Sequence, residues 1–135
     1  MAQYIKPLPQ ITAETREFWE GCKRHELLIQ RCKDCGVYRH YPRLMCPKCG
    51  SWNVEWVKVG GRGKVYTWTV AVQPFHPGFF EDVPYAVVIV ELEEGVRMVS
   101  NIVDCAPEEI YIGMPVEVVF DDVTEEVTLP RFRTA

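Results

Sequence analysis

The feature that most constrains the fold is a pair of cysteine motifs between residues 31 and 50. Cys32 and Cys35 stand in CKDCG, and Cys46 and Cys49 stand in CPKCG. Each CxxC turn directs two thiols at one point, and the glycine after it can adopt the positive φ that such a turn needs. Ten residues separate the motifs, a spacing typical of four-cysteine metal sites. The sequence therefore predicts one metal ion held by all four cysteines.

Zinc is the metal that this ligand set favours, and iron in a rubredoxin-like site is the alternative because it uses the same thiolates. Four thiolates leave no position for water or substrate, so the predicted site is structural rather than catalytic. Cys22 and Cys105 fall outside the motifs. We interpret both as small apolar residues, because a catalytic thiol needs a histidine partner and the sequence cannot place His25, His40 or His76 near either of them.

The length and composition indicate one domain, or one domain with a small appendage. The chain has 135 residues, and 47% of them are apolar, which is enough for a core. The N-terminal MAQYIKPLPQ lacks the apolar centre of a signal peptide, and no window approaches the roughly 20 apolar residues that span a bilayer. Close cysteine pairs suit metal binding in a reducing compartment. We therefore expect a cytoplasmic protein without membrane contact.

The N-terminal half has a helical segment followed by short strands. Residues 12–24 are predicted to form a helix with Thr12 as its N-cap. Phe18, Trp19 and Cys22 supply an apolar face to this helix, so we expect it to dock on another surface. HELLIQRC before the first cysteine motif and SWNVEWVKV after the second one read as strands.

The C-terminal half is predicted to consist of strands alone. After the hinge-like GGRG come KVYTWTVAV, PYAVVIVEL, VRMVSNIVD, GMPVEVVFDD and VTLPRFR. Five short strands separated by Gly and Pro indicate a small closed or partly open barrel. The predicted fold is therefore mainly β, with a helical segment at 1–28, a metal-binding ribbon at 29–59 and a barrel at 60–135.

The order of these motifs resembles a known family. A four-cysteine ribbon after a helix, followed by GRGKVYTWTVA, PYAVVIVELEEGVRMVSNIV and IGMPVEVVF, is similar to the DUF35 family of zinc-ribbon and OB-fold proteins. The resemblance runs from about Thr12 to Phe132. It implies that the five-stranded barrel is an OB-fold. Members of this family accompany thiolase-like or hydratase-like enzymes that act on acyl-CoA thioesters.

The resemblance also implies a function. It indicates a non-catalytic accessory subunit that docks on a thiolase-like enzyme and helps to form its CoA entrance. Pro42 and Arg43 occupy the Pro-Arg segment of the family, and 61–63 matches its glycine-rich start of the barrel. Arg39, Arg43 and Arg62 are therefore the residues that we expect to contact a CoA phosphate.

The charge distribution bears on the partner. Residues 1–64 contain 12 Lys/Arg and 6 Asp/Glu, whereas residues 65–135 contain 3 Lys/Arg and 13 Asp/Glu. OB-folds that bind single strands use basic grooves, so the acidic barrel argues against nucleic acid. The basic N-terminal half suits nucleic acid, CoA phosphates or an acidic partner surface, and it is equally consistent with a solvated face.

The sequence shows no catalytic motif. The only serines are Ser51 and Ser100, and neither stands in GxSxG, while HExxH, GxxxxGK[ST] and GxGxxG are absent. We expect no catalytic residue and name two docking surfaces. One is the helix with Phe18 and Trp19, and the other is the loop QPFHPGFFEDVP with Phe75, Phe79 and Phe80. The alternatives are a nucleic-acid-binding zinc-ribbon and OB module, or an acyl-CoA-binding subunit that channels substrate between two enzymes.

Overall fold

The computed structural model describes residues 4–135, which form one short α-helix and eight strands in two antiparallel sheets. The helix is α1, Arg16–Lys23, and the 3₁₀ turns are Pro77–Phe79 and Pro107–Glu109. The strands are β1 Leu28–Cys32, β2 Tyr38–Arg39, β3 Val54–Lys58, β4 Arg62–Ala71, β5 Tyr85–Leu92, β6 Arg97–Ser100, β7 Pro115–Asp122 and β8 Thr128–Thr134. Within the same residues, no helix is both long enough and apolar enough to cross a membrane.

The helix is shorter at its start than the sequence predicts. It begins at Arg16 rather than near Thr12, and Thr15 is the residue before it. The backbone N–H of Thr12 donates to the hydroxyl of Thr15 at 3.0 Å, and the N–H of Thr15 donates to the carbonyl of Thr12 at 3.2 Å. These two bonds close a separate turn, so the expected N-cap position of Thr12 is wrong.

The first sheet is the ribbon, with the strand order β2-β1-β3. Strand β1 pairs with β3 along its whole length, from Leu28 opposite Lys58 to Cys32 opposite Val54. Strand β2 pairs with β1 through only two residues. A two-residue strand has no periodicity, so the sequence did not predict it.

The second sheet has five strands, as predicted, and their order is β6-β5-β4-β7-β8. Its two edges approach each other where Ile102 pairs with Phe132 and where the Ser100 hydroxyl donates to the Pro130 carbonyl at 2.9 Å. Every second residue of β5 is buried, as expected when one face of a strand lines a core. The fold class is confirmed: a helix, a four-cysteine ribbon and a curled five-stranded OB-like sheet.

One apolar core joins the helix to the barrel. Val65, Val88, Val90 and Phe132 are fully buried in the sheet, and Phe18 of α1 belongs to the same buried cluster. Burial of apolar area is the dominant stabilising term in folding. The helix is therefore held by the barrel as well as by the ribbon, and the space between helix and barrel is a defined part of the fold.

Candidate functional site

The four motif cysteines converge on one point, as predicted. Their sulfur atoms all lie within 4.8 Å of one another. The Sγ atoms of Cys32 and Cys49 are 3.5 Å apart, and those of Cys35 and Cys46 are 3.6 Å apart. Zn–S bonds of about 2.3 Å in a tetrahedron place sulfurs about 3.8 Å apart. The cluster therefore has the dimensions of a tetrahedral metal site with no open position.

The two cysteine turns repeat the same backbone pattern. Gly36 donates its N–H to the carbonyl of Cys32, and Gly50 donates to the carbonyl of Cys46, both at 2.9 Å. The two glycines have φ values of 77° and 78°, a region that glycine adopts without steric cost. The predicted need for glycine after each motif is confirmed, and the repeated turns explain why both deliver their thiols to one point.

The electrostatics of the cluster favour metal binding. The backbone N–H of Cys35 lowers the pKa of the Cys32 thiol to about 6, and that of Cys49 lowers the pKa of Cys46. At Cys49 itself, the N–H of Ser51 lowers the pKa, but hydrogen bonds with the other three sulfurs outweigh it and raise the pKa to about 12. A metal ion binds cysteines as thiolates, so its binding releases the protons that the four thiols share in the metal-free cluster.

A polar bridge holds the two cysteine turns together. The carboxylate of Asp34, inside the first motif, accepts hydrogen bonds from the Ser51 hydroxyl and, at 3.1 Å, from the Asn53 amide. The bond from Ser51 and then that from Asn53 lower the pKa of Asp34. This bridge orients the ligand turns from outside the cluster, which is how residues beyond the ligands tune metal sites.

The three arginines expected at a CoA phosphate occupy different environments. Arg39 is only 5% exposed, and its guanidinium donates to the Gln30 side chain at 2.9 Å and to the Arg43 carbonyl at 2.8 Å. The ribbon therefore engages two nitrogens of the Arg39 guanidinium, while its Nη1 is buried without a hydrogen-bond partner among the described residues. Contact of Arg39 with CoA stays a prediction. Arg43 is exposed on the ribbon, whereas Arg62 lies on β4 and is 3.7 Å from Glu117. Their contact with CoA stays a prediction.

The two predicted docking surfaces also differ from each other. Phe18 and Trp19 are buried, so the expectation that the helix presents them to a partner is wrong. In the loop, Phe75 is 85% exposed and Phe80 is 65% exposed. Phe79 instead stacks on Tyr85, with 5.2 Å between the ring centres. Two of the three loop phenylalanines are thus accessible, and the third supports the loop from inside.

Sequence reasoning missed a cavity between the helix and the barrel. It has a volume of about 530 Å³ and is lined by residues of α1, of the loop after β2 and of four barrel strands. Residues so far apart along the chain carry no common sequence signal.

Comparison with known proteins covers most of the chain. Residues 19–55 match the family model described as "ChsH2, rubredoxin-like zinc ribbon domain", and residues 56–121 match "ChsH2, C-terminal OB-fold domain". The first match identifies the four-cysteine cluster as a structural zinc site.

Two relatives and one solved structure are similar over most of this chain. The "probable enoyl-CoA hydratase alpha subunit" of Thermomonospora curvata is 44% identical over 97% of this chain, which spans 40% of that relative. The "DUF35 domain-containing scaffold protein" of Methanocaldococcus jannaschii is 44% identical over 80% of this chain and 77% of its own length. A chain of the solved "Ltp2-ChsH2(DUF35) aldolase" is 43% identical, with a TM-score of 0.84 over 94% of this chain and 98% of that one. This chain therefore belongs to the DUF35 family, with a ChsH2-type zinc ribbon followed by an OB-fold.

Proposed function

We propose that this protein is a non-catalytic accessory subunit that docks on a thiolase-like enzyme and helps to form the entrance for its acyl-CoA substrate. The observation that carries the proposal is the similarity, over nearly the whole of both chains, to a DUF35 chain solved as part of the "Ltp2-ChsH2(DUF35) aldolase". Relatives named as a scaffold protein and as an enoyl-CoA hydratase subunit support it.

The chemistry of the cysteines supports a role without catalysis. The metal cluster uses all four thiolates as ligands, so it has no position for an activated water. Burial raises the pKa of Cys22 to about 12 and also raises that of Cys105. A nucleophilic cysteine needs the opposite shift, toward the thiolate. Covalent chemistry on the acyl-CoA is therefore assigned to the partner.

The aromatic loop is the proposed docking surface. His76 accepts the backbone N–H of Gly78 at 3.0 Å, and an ion pair of 2.8 Å between Lys6 and Asp82 ties the loop to the N-terminal segment. These contacts hold the segment that presents Phe75 and Phe80 to solvent. A pre-organised apolar surface loses less conformational entropy on association, and aromatic residues are enriched at interfaces.

Two exposed arginines are the proposed contacts to CoA. Arg43 and Arg62 are exposed, and guanidinium groups form strong paired hydrogen bonds with phosphate oxygens. Arg39 is left out because its guanidinium is buried. In the complex, Arg43 on the ribbon or Arg62 on the barrel would meet a CoA phosphate at the rim of the partner's site.

The test is co-expression of this chain with a candidate thiolase-like enzyme, followed by purification through a tag on that enzyme. Phe75→Ser combined with Phe80→Ser should weaken the complex by at least about 30-fold, as expected when central aromatic anchors are removed. Trp52→Ser, at an exposed aromatic residue on the ribbon, is the matched control and should assemble normally. Zinc content should stay the same in both variants. A partner that is fully active alone, or a double variant that assembles at wild-type affinity, would contradict the proposal.

A further inference from the structure

The cavity between α1 and the barrel is large enough for a small molecule. Its volume of about 530 Å³ lies within the range of small-molecule sites, about 300–1,000 Å³. Trp19 and Tyr41 line it on the side of the helix and ribbon, and Tyr66, Ile89 and Val99 line it on the side of the barrel. The walls are therefore apolar and rich in aromatic rings.

The barrel wall is built from side chains that face away from the core. Ile89 and Val99 are directly opposite each other on β5 and β6, while the neighbouring Val88 and Val90 are fully buried inside the barrel. Tyr66 is the extra residue of a β-bulge, because Val65 pairs with Val90 and Thr67 pairs with Ile89. Bulges re-aim side chains and occur often beside functional sites. Here the bulge places the ring of Tyr66 under the guanidinium of Arg97, 3.7 Å from the ring centre.

The charges at the cavity have the opposite sign to the rest of the barrel. Residues 65–135 contain 13 acidic residues and only three basic ones, Arg97, Arg131 and Arg133. Arg97 and Arg131 both line the cavity, and none of the lining residues, all within the described part of the chain, is acidic. Two of the three basic residues in this acidic segment therefore line one apolar cavity. Such a cavity is suited to an anionic ligand.

Arg97 is the cation with free hydrogen-bond donors. Its Nε donates to Glu91 at 3.2 Å, and within residues 4–135 its two terminal nitrogens make no hydrogen bond. Arg131 is more engaged, since it donates to Asp121 at 2.9 Å and to Asn101 at 3.4 Å.

The remaining polar groups of the cavity are neutral. The hydroxyl of Tyr41 accepts the indole N–H of Trp19 at 2.8 Å, which leaves its own proton free to donate. Burial lowers the pKa of His40 to about 4, so its ring is uncharged at neutral pH. Among the lining residues, only the two guanidiniums are therefore charged, and their ion-pair partners Glu91 and Asp121 are not part of the lining.

We propose that this cavity binds an apolar, ring-containing anion, with the ring between the helix and the barrel strands and the anionic group at Arg97. Aromatic walls favour a flat ring, because stacked and edge-on contacts form only in defined geometries and because a rigid ligand has no rotatable bonds to immobilise. The inference goes beyond the proposed function, since docking on a partner does not require this chain to bind a small molecule. Failure of one test leaves the other unaffected.

The experiment titrates naphthalene-2-carboxylate into the zinc-loaded full chain. Calorimetry gives the affinity, and the indole N–H signals in nuclear magnetic resonance spectra give the location. The signal of Trp19, which lines the cavity, should move on saturation, while that of Trp52, which is exposed on the ribbon, should stay in place. Absence of saturable binding, or movement of Trp52 without Trp19, would overturn the proposal.

Two pairs of variants make the test specific. Arg97→Gln should weaken binding about tenfold, whereas the control Arg133→Gln should not change it. The two arginines are matched, because their side chains are 51% and 54% exposed and each is paired with a glutamate. Val99→Trp should fill the cavity and abolish binding, whereas Val72→Trp should not; these valines are 64% and 71% exposed. Unchanged binding in Arg97→Gln or in Val99→Trp would count against the assigned site.

Three further ligands test the chemical class. Naphthalene-2-methanol lacks the anion and should bind about tenfold more weakly, and equal affinity would overturn the role of Arg97. Decanoate has the anion but a flexible chain, and tighter binding than the naphthoate would overturn the preference for a ring. The thioester 2-naphthoyl-CoA tests whether the natural ligand is a free acid or an acyl group carried on CoA. If the thioester binds more tightly than the free acid, and Val99→Trp abolishes this binding, the ligand is a ring carried on CoA. If the free acid binds and the thioester does not, the ligand is the free acid.

Discussion

The indole N–H of Trp19 donates a 2.8 Å hydrogen bond to the hydroxyl of Tyr41, and this bond joins α1 to the loop after β2. Tyr41→Phe removes the acceptor and leaves the buried indole N–H without a partner. An intramolecular hydrogen bond contributes about 1 kcal/mol, so the free energy of unfolding should fall by about that amount in urea titrations. Tyr111→Phe, at an exposed tyrosine, is the control and should leave stability unchanged. Equal stability of both variants would contradict the structural role of the bond.

Removal of one thiolate should release the metal. We expect one zinc ion per chain, measured by elemental analysis, and its loss in Cys46→Ser. The ribbon should then unfold, because its cysteine turns have no core of their own, while the barrel strands keep their chemical-shift dispersion. Cys105→Ser changes a cysteine outside the cluster and should retain the metal. Freshly purified protein that contains neither zinc nor iron would refute the metal site.

Gly61 should tolerate no side chain. It has a φ of 76°, and a Cβ at this position would overlap the side chain of Val118. Gly61→Ala should therefore lower the free energy of unfolding by at least about 2 kcal/mol, from backbone strain and overpacking together. The adjacent Gly60 has open space at its Cβ position, so Gly60→Ala should be nearly neutral. Denaturant titrations of the two variants would reveal this difference, and similar stabilities would show that the close approach of Gly61 to Val118 does not limit stability.

Asp122 should make stability depend on pH in the acid range. It accepts a 2.5 Å hydrogen bond from Thr128 and lies 3.0 Å from the His25 ring. The Thr128 bond first, and then the His25 bond, hold the pKa of Asp122 below its ordinary value. Because the pKa of Asp122 is lower in the folded chain than in the unfolded chain, its ionised carboxylate stabilises the fold at any pH above the unfolded-state pKa of about 4. This stabilisation is lost as the pH falls through the lower pKa of the folded state.

The measurement compares unfolding of the wild type and Asp122→Asn as a function of pH. The wild type should be the more stable protein at about pH 6, and the difference should shrink as the pH falls below the ordinary aspartate pKa of about 4. Glu125→Gln, in the same turn region, is the control for the loss of one negative charge. A difference that persists unchanged into acid would show that titration of Asp122 is not its cause.

Nucleic acid should bind weakly. The segment 65–135, which forms most of the barrel, contains 13 acidic and 3 basic residues, and such a surface repels phosphates. Fluorescence anisotropy with a labelled single-stranded oligonucleotide should detect no sub-micromolar affinity at about 0.15 M salt. Weak binding through the basic segment 1–64 should appear only at lower salt, since such binding falls steeply with ionic strength. Tight binding at about 0.15 M salt would favour the nucleic-acid module.

Local patterns were sufficient for the metal site and for most of the strands. Cys32 and Cys35 lie in one turn, so their spacing and the glycine after them specify the geometry without help from the rest of the chain. The nearly continuous apolar run PYAVVIVEL similarly predicts a strand, although only the structure shows which of its alternate residues are buried. The division into 1–28, 29–59 and 60–135 stays a prediction, because the shared core extends from α1 to the barrel.

The tertiary structure decided the features that depend on where distant segments meet. Phe18 is apolar in any reading of the sequence, but only packing against the barrel determines that it is buried rather than offered to a partner. Arg39 is charged, yet contact with Gln30 nine residues away buries it. The cavity joins Trp19 to Tyr66 and Val99. The sequence by itself determined the local turns and strands, because neighbouring residues specify them, whereas burial and the cavity follow from long-range packing that no local pattern encodes.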